Sequence, residues 1–187
     1  LQATVDYVGE LGGTILLGRG EYQLRRGVRL RSYPIELIGY GAKLSIHPEW
    51  DGGGYTFLLR EVSNAKVRNI EFDGKGYDGK VGGVGLGSDA VVEGCAFHDF
   101  AGYFAIFHYN AGRSKILWNR IYGDFAADAL GGGAVTETEV VGNVFGPITS
   151  GYAFEWVGAW RIKMVGNLFV DAGQVIPSPF INSIIAW

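Results

Sequence analysis

Asp73, His98, Asp99, Asp124, Asp128 and Asp171 fall just after the same point of a pattern that recurs along the chain. If the backbone coils regularly, they gather on one edge. Paired carboxylates there could break a glycosidic bond. One protonates the leaving oxygen while the other attacks the sugar or activates water, at ~5–5.5 Å for retention or ~6.5–9.5 Å for inversion. His98 sits one register from Asp73, and Asp99 and Asp124 belong to neighbouring coils. Adjacent rungs of a parallel sheet lie ~4.8 Å apart, which offers the first spacing; a rung plus one residue could offer the second. The same carboxylates could instead cap turns through local hydrogen bonds.

A second group lies further along each coil. His108 stands two registers from Trp156 with Gly132 between, and Glu155 stands in step with Gly131 and Phe107. Two small residues in the middle could open a groove, with a carboxylate and an aromatic ring beside it for a sugar. The plainer alternative is an outward Glu155 on a solvated face and a packed Trp156. Tyr103, Tyr109, Trp118, Trp156 and Trp160 cannot all fit inside a narrow coil. Exposed rings of this kind stack on sugars or anchor protein interfaces. The expected catalytic set is therefore Asp99, Asp124, Asp128, His98 and Glu155, with Tyr103, His108 and Trp156 as substrate-binding residues. No acidic cluster with a metal-binding layout is legible, so neither metal nor cofactor is expected. His47, alone in a loop, reads as exposed.

What must position these residues is a repeat. Val67–Phe72, Val92–Phe97, Ile116–Ile121, Val140–Phe145 and Met164–Phe169 align with steps of 25, 24, 24 and 24 residues (92 − 67, 116 − 92, 140 − 116, 164 − 140). A fixed period in this range means stacked units, none of which can bury its apolar face alone. The columns Val67, Val92, Ile116, Val140, Met164 and Phe72, Phe97, Ile121, Phe145, Phe169 would build two inner walls. Alternation turns Ala65, Ala90, Ser114, Thr138 and Ile162 inward as well. Asp89, Arg113, Glu137 and Arg161 alternate in sign at 24-residue steps, as do Lys115, Glu139 and Lys163. These are ladders of opposite charge that fix register. Asn119, Asn143 and Asn167 form one column after Ile70 and Cys95. They read as a ladder of amides bonded to the rungs above and below, and as residues able to take the left-handed turn at a corner. Gly94, Gly142 and Gly166 suit the same bend, and Trp118 in their column should protrude. Cys95 reads as a small buried hydrophobe.

Thr14–Leu17 and Ile35–Ile38 give two earlier, less regular rungs. His47–Tyr55, with three consecutive glycines, reads as an inserted loop. A second strand per rung is expected at Gly83–Leu86, Tyr103–Phe107, Ala127–Leu130 and Tyr152–Trp156. Leu1, Val5, Val8 and Leu11 recur at helical spacing, so residues 1–12 are expected to form a helix covering the open top of the stack. The coils then occupy 13–176 and an apolar tail 177–187, all in a single domain of 187 residues. Val141, Val144, Val165 and Leu168 are greasy for outward positions. They should be covered by that tail, or by a second copy or a parent fibre.

Composition narrows the function classes. The net charge is −3 with no basic stripe, which argues against nucleic acid as a partner. No run of 18 apolar residues is present, so no membrane partner is expected. The chain opens on Leu1 rather than Met, as a processed, excised or partial chain would.

Leu1-Gln2-Ala3, Gly12–Leu17, Gly20-Glu21-Tyr22, Leu37–Ala42 and Val67–Gly74 together resemble the coils of pectin-lyase-like proteins. The resemblance spans essentially the whole chain. It implies an all-β fold, a single-stranded right-handed parallel β-helix of about seven coils with an N-terminal capping helix. It also implies a polysaccharide partner. Relatives include pectate lyases, polygalacturonases, epimerases and viral tailspikes, which act outside the cell or on a virion or cell surface. Natural members are usually longer, so the chain would be a minimal helix or part of a larger fibre or enzyme. Of the hydrolase motifs only Arg161-Ile162-Lys163 is present, and the charge ladders explain it too. Two functions follow: a polysaccharide-binding or polysaccharide-degrading protein, of glycosidase or lyase type, or a non-catalytic structural or adhesive module of a fibre, filament or tailspike.

Overall fold

The computed structural model describes residues 1–30, 34–52, 56–172, 174–176 and 184–186. The chain is a right-handed parallel β-helix of about six turns, slightly fewer than the seven expected. Its two shortest described strands, of two residues each, are Val28–Arg29 and Leu168–Phe169. Among the described residues all strand pairing is parallel and follows the repeat. Val67, Val92, Ile116, Val140 and Met164 pair in one register, continued by Ile185. Phe72, Phe97, Ile121, Phe145 and Phe169 pair in another. Phe72 stacks on Phe97 at 4.6 Å between centroids, and Phe145 on Phe169 at 4.9 Å. The early rungs depart from the period as expected. Gly13 pairs with Ile35, a step of 22 (35 − 13), and Glu36 with Lys66, a step of 30 (66 − 36) that contains the inserted loop. Within that loop His47 is half-buried rather than exposed, and its Nδ1 accepts the Glu49 N–H.

Three walls result. The first holds Lys66–Arg68, Val91–Glu93, Lys115–Leu117, Glu139–Val141 and Lys163–Val165; the second holds Ala96–Phe100 and its neighbours. The third carries Thr56–Val62, Val81–Leu86, Ile106–Tyr109, 128–133, 152–157 and Gln174–Ile176. Tyr103, expected in this third strand, instead lies in the turn before it. Ala65, Ala90, Ser114, Thr138 and Ile162 are all buried, as alternation required.

The corner between the first and second walls corrects one expectation. The left-handed residues are Asn69, Gly94, Trp118, Gly142 and Gly166, one position before the asparagine column. The asparagines are held inside the corner by their bonds along the axis. Asn119, Asn143 and Asn167 each accept, through Oδ1, the backbone N–H of the residue one rung before, at 2.9, 2.9 and 3.0 Å. Their Nδ2 groups donate to the carbonyls of Val92, Ile116 and Val140. Trp118 does protrude, 63 % exposed, with its indole lying over Gly142. Cys95 is buried, and burial pushes its thiol up to about 12. The charge ladders form: Arg113 binds Asp89 through two nitrogens at 2.8 and 2.6 Å, and Arg161 reaches Glu137 at 2.9 Å. These residues occupy a second left-handed corner rather than strand positions.

The helix spans Gln2–Gly9 and buries Val5. Leu11 falls outside it and is exposed, which narrows the expected cap. Gln2 binds the edge of the first coil: its Oε1 accepts the Arg29 N–H at 2.8 Å and its Nε2 donates to the Arg29 carbonyl at 3.2 Å. At the other end, Ile184–Ala186 pairs with Lys163–Val165 and extends the first wall. It does not lie across the outward valines. Phe180, Ile181 and Trp187 fall outside the described residues. Among the described residues Val141, Val144 and Val165 remain half-buried and Leu168 exposed. No described helix is long and apolar enough to cross a membrane.

Candidate functional site

Strand alternation decides which side chains face out on the third wall. Ile106, Leu130 and Phe154 point in, as do His108, Gly132 and Trp156. Phe107, Gly131 and Glu155 share the outward column between them. Gly131 has no side chain, and any Cβ there would run into the Phe104 ring and the Asp128 carboxylate. Its absence therefore lets Asp128 lean over the backbone of the rung next to Glu155. Asp128 is only 6 % exposed. Burial, and after it the Glu155 charge, pushes the Asp128 carboxyl up to about 7. Ala126, Ala127, Asp128, Gly151, Tyr152 and Glu155 line a hollow of about 590 Å³ here.

Aromatic rings continue along the same face. Phe57 stacks on Phe107 at 5.8 Å, and Phe107 on Tyr109 at 6.0 Å. Tyr103 lies 5.6 Å from Phe57, and Phe104 lies 4.8 Å from Phe107. A row of rings, half-buried except for the exposed Tyr109, thus leads to a protonatable carboxyl and a second carboxylate. That combination can hold a sugar chain and act on it.

The expected site residues divide. Asp128 and Glu155 come together, and Tyr103 stands in the aromatic row. Asp124 pairs instead with the hydroxyl of Ser150. Asp99 accepts from His98 Nδ1 at 2.9 Å and lies against Gly123. His108 and Trp156 require correction. Gly132 does leave a gap, but on the inside, and the two rings meet across it at 5.7 Å with both residues fully buried. They cannot touch a ligand on the surface. Neither ring nitrogen of His108 has a hydrogen-bond partner, and burial lowers its pKa to about 4.

His108 is therefore neutral in the fold and charges on unfolding. Its contribution holds above pH 6.5 and is lost as pH falls from 6.5 towards 4, about 3 kcal/mol in all. His108→Phe should flatten the loss of stability between urea midpoints measured at pH 7 and pH 4.5. An unchanged loss would show that His108 is protonated in the folded state.

A second polar group lies at the end of the second wall, where the sequence placed Asp73 and His98 together but did not single out Glu71 or Lys43. Asp73 pairs in register with His98. His98 Nε2 reaches Glu71 at 3.1 Å, and its ring stacks on Tyr122. Ligand-type atoms of Glu71, Asp73 and His98 lie within 4.8 Å of one another. Lys43 Nζ already sits 2.6 Å from Glu71 and 3.2 Å from Asp73, where a cation would bind. Burial alone would raise both carboxyls. The Lys43 and His98 bonds outweigh it for Glu71, and the Lys75 N–H together with Lys43 does so for Asp73, holding both below the usual range. The donors fit a divalent ion only if Lys43 withdraws, so this group reads as an ion-paired network. Its members come from three rungs, and the 30-residue step at the inserted loop hid Lys43 from the repeat.

No family model matches the chain, and no curated protein sequence does. Solved structures do. A protein from Parabacteroides merdae described as a candidate glycosyl hydrolase superposes with a TM-score of 0.75 at 15% identity, over 95% of this chain and 90% of that one. The A-module of the mannuronan C-5 epimerase AlgE4 from Azotobacter vinelandii gives 0.59 at 17% identity, over 90% of this chain and 62% of that one. The tailspike of Escherichia coli bacteriophage HK620, solved with a pentasaccharide, gives 0.58 at 17% identity, over 90% of this chain and 35% of that one. At these identities the likeness is one of fold. It agrees with the solenoid pairing: the chain is a parallel β-helix.

Proposed function

We propose that the chain binds a polysaccharide along the outer face of the third wall and hydrolyses it between Asp128 and Glu155. The observation that carries this reading is geometric. Two carboxyl groups stand on adjacent rungs over a glycine floor, in an open hollow approached by a row of aromatic rings. Asp128 protonates the glycosidic oxygen and Glu155 attacks the anomeric carbon. The aglycone leaves as an alcohol and a glycosyl ester remains on Glu155. Asp128, now a carboxylate, takes a proton from water, whose oxygen releases the sugar and restores both groups. Asp128 pairs with Tyr152, three residues before Glu155, but its Oδ2 stands 2.7 Å from where a Cβ on Gly131 would be, and Gly131 pairs with Glu155. That leaves about one rung, ~4.8 Å, between the groups, which favours retention over the wider spacing of inversion. The names of the similar folds, a candidate glycosyl hydrolase, a mannuronan epimerase and a tailspike with a bound pentasaccharide, support a glycan partner. Such a substrate would be met outside the cell or on a cell or virion surface.

The test is to incubate the protein with a polysaccharide panel, assay new reducing ends, and read the first-formed anomer by NMR. Release with retained configuration is expected. Inversion would remove Glu155 as nucleophile. Binding without release would favour the non-catalytic module, a reading to which the protruding Trp118 and the outward valines give some support.

A further inference from the structure

Trp118 stands at a corner where the other rungs carry Asn69, Gly94, Gly142 and Gly166. Its φ is 56°, a left-handed value that a bulky side chain rarely takes. The ring is 63 % exposed, so the fold recovers little for that strain. Glycine would turn the corner more easily. An outlier of this kind points to a use outside the chain.

The face beside it is patterned. Next to the corner, the outward residues of the first wall are Leu117, Val141 and Val165, a half-buried apolar column. Lys115, Glu139 and Lys163 run alongside, and Asp89, Arg113, Glu137 and Arg161 occupy the corner where the wall begins. All of these charged residues except the half-buried Glu139 are exposed. Lys115 and Lys163 hold Glu139 only loosely, at 3.7 and 3.6 Å. An apolar strip edged by open charge is the anatomy of a protein contact.

The charges select the partner and its direction. A two-fold axis along the solenoid would set each rung of one copy against the same rung of another, like charge on like. A two-fold across the solenoid, between the Ile116 and Val140 rungs, reverses the order. Arg113 then faces Glu137 of the second copy, Asp89 faces Arg161, Lys115 faces Glu139 and Leu117 faces Val141. Trp118, whose ring reaches from its own rung to Gly142, lies on the axis against its counterpart. The outermost meetings, Val91 with Lys163 and Glu93 with Val165, bring no like charges together.

We infer that this face is a contact between two copies of the chain, packed antiparallel, first wall to first wall, with Trp118 stacked on Trp118 at the centre. The inference does not depend on the glycan reading, since the third wall stays open in both copies. The matched face spans four rungs and about six residues of each, on the order of 20 Å by 20 Å. About 400 Å² per copy is a small contact, so dissociation constants of roughly 1–100 μM are expected.

Sedimentation from about 1 to 500 μM tests it. The unmutated chain should pass from monomer to dimer. Trp118→Gly gives the corner the residue its neighbours use. It should fold as before and dimerise at least about tenfold more weakly. Direction is read from the variant Lys115→Glu, Glu139→Lys, Lys163→Glu, which keeps the ladder alternating within each chain. This variant should dimerise with itself. Mixed with ¹⁵N-labelled unmutated chain, it should form the mixed dimer below its statistical share in native mass spectrometry, because like charges then meet. A monomer at every concentration would overturn the contact, whether the face is bare or covered by the chain's own tail. So would a Trp118→Gly chain that dimerises undiminished. A mixed dimer at or above its statistical share would overturn the antiparallel arrangement.

Discussion

Asp128→Asn should lower kcat/KM for polysaccharide cleavage by about 10²–10⁴-fold and, at pH 8, make the protein more stable. The first effect is the loss of a general acid. The second follows from the raised pKa. Between the ordinary value of 3.8 and about 7, the folded chain binds a proton that the unfolded chain has released. Stability therefore falls as pH rises through that window. An uncharged amide of the same shape escapes this penalty, and a gain on the order of 1–4 kcal/mol is expected at pH 8, fading at pH 4. A residue retained for turn capping would behave the other way, since its removal leaves the backbone without a partner. Initial rates on a cleaved glycan, with urea unfolding at pH 4 and pH 8, check both halves. Full activity in Asp128→Asn would refute the role, and a stability loss at pH 8 would refute the electrostatics. For the unmutated protein kcat/KM should decline above pH 7 as Asp128 loses its proton.

The second large effect concerns the ladder that holds the coils in step. Asn143 accepts from the backbone N–H of Asn119 at 2.9 Å and from its Nδ2 at 3.0 Å. It donates to the Ile116 carbonyl at 2.9 Å and to Asn167 Oδ1 at 2.9 Å. Every one of these groups is out of reach of water. Asn143→Ala leaves at least the Asn119 N–H and the Ile116 carbonyl unpaired, at about 1–3 kcal/mol each, so about 2–6 kcal/mol should be lost. Asn143→Asp should be equally harmful, because a carboxylate cannot donate to the Ile116 carbonyl. Urea denaturation measures both variants. A loss below about 1 kcal/mol in Asn143→Ala would mean that the ladder is incidental to stability.

The solenoid was legible in the sequence because stacking converts a 24-residue period directly into contact. Phe145 and Phe169 had to meet for the argument to hold, and they do. The inside of the coil was equally legible wherever side chains are small or apolar. What could not be read was how one glycine directs its neighbours. Gly131 and Gly132 are consecutive. The first opens the outer face for Asp128; the second, in the inward column between His108 and Trp156, has no side chain to part their rings, and a Cβ there would strike the His108 backbone. Spacing alone put Glu155, His108 and Trp156 in one groove and Asp128 on another edge, and only the direction of each residue sorts them correctly. The asparagine column was found in the right place, with its axial bonds expected, but it was also assigned the left-handed corner that the preceding residue takes. Phe57 was missed for another reason: its partner one 25-residue step on (82 − 57) is Gly82, which has no side chain to mark an outward aromatic column.

The pairing of a protonated Asp128 with a charged Glu155 is what the functional account depends on, and it can be watched directly. The side-chain carboxyl carbon of Asp128 should be followed by NMR across pH 3 to 9, in the unmutated protein and in Glu155→Gln. A midpoint near 7 is expected, moving down when the neighbouring charge is removed. A midpoint in the ordinary carboxylate range, or one unmoved in Glu155→Gln, would leave the groove without its acid and contradict the mechanism.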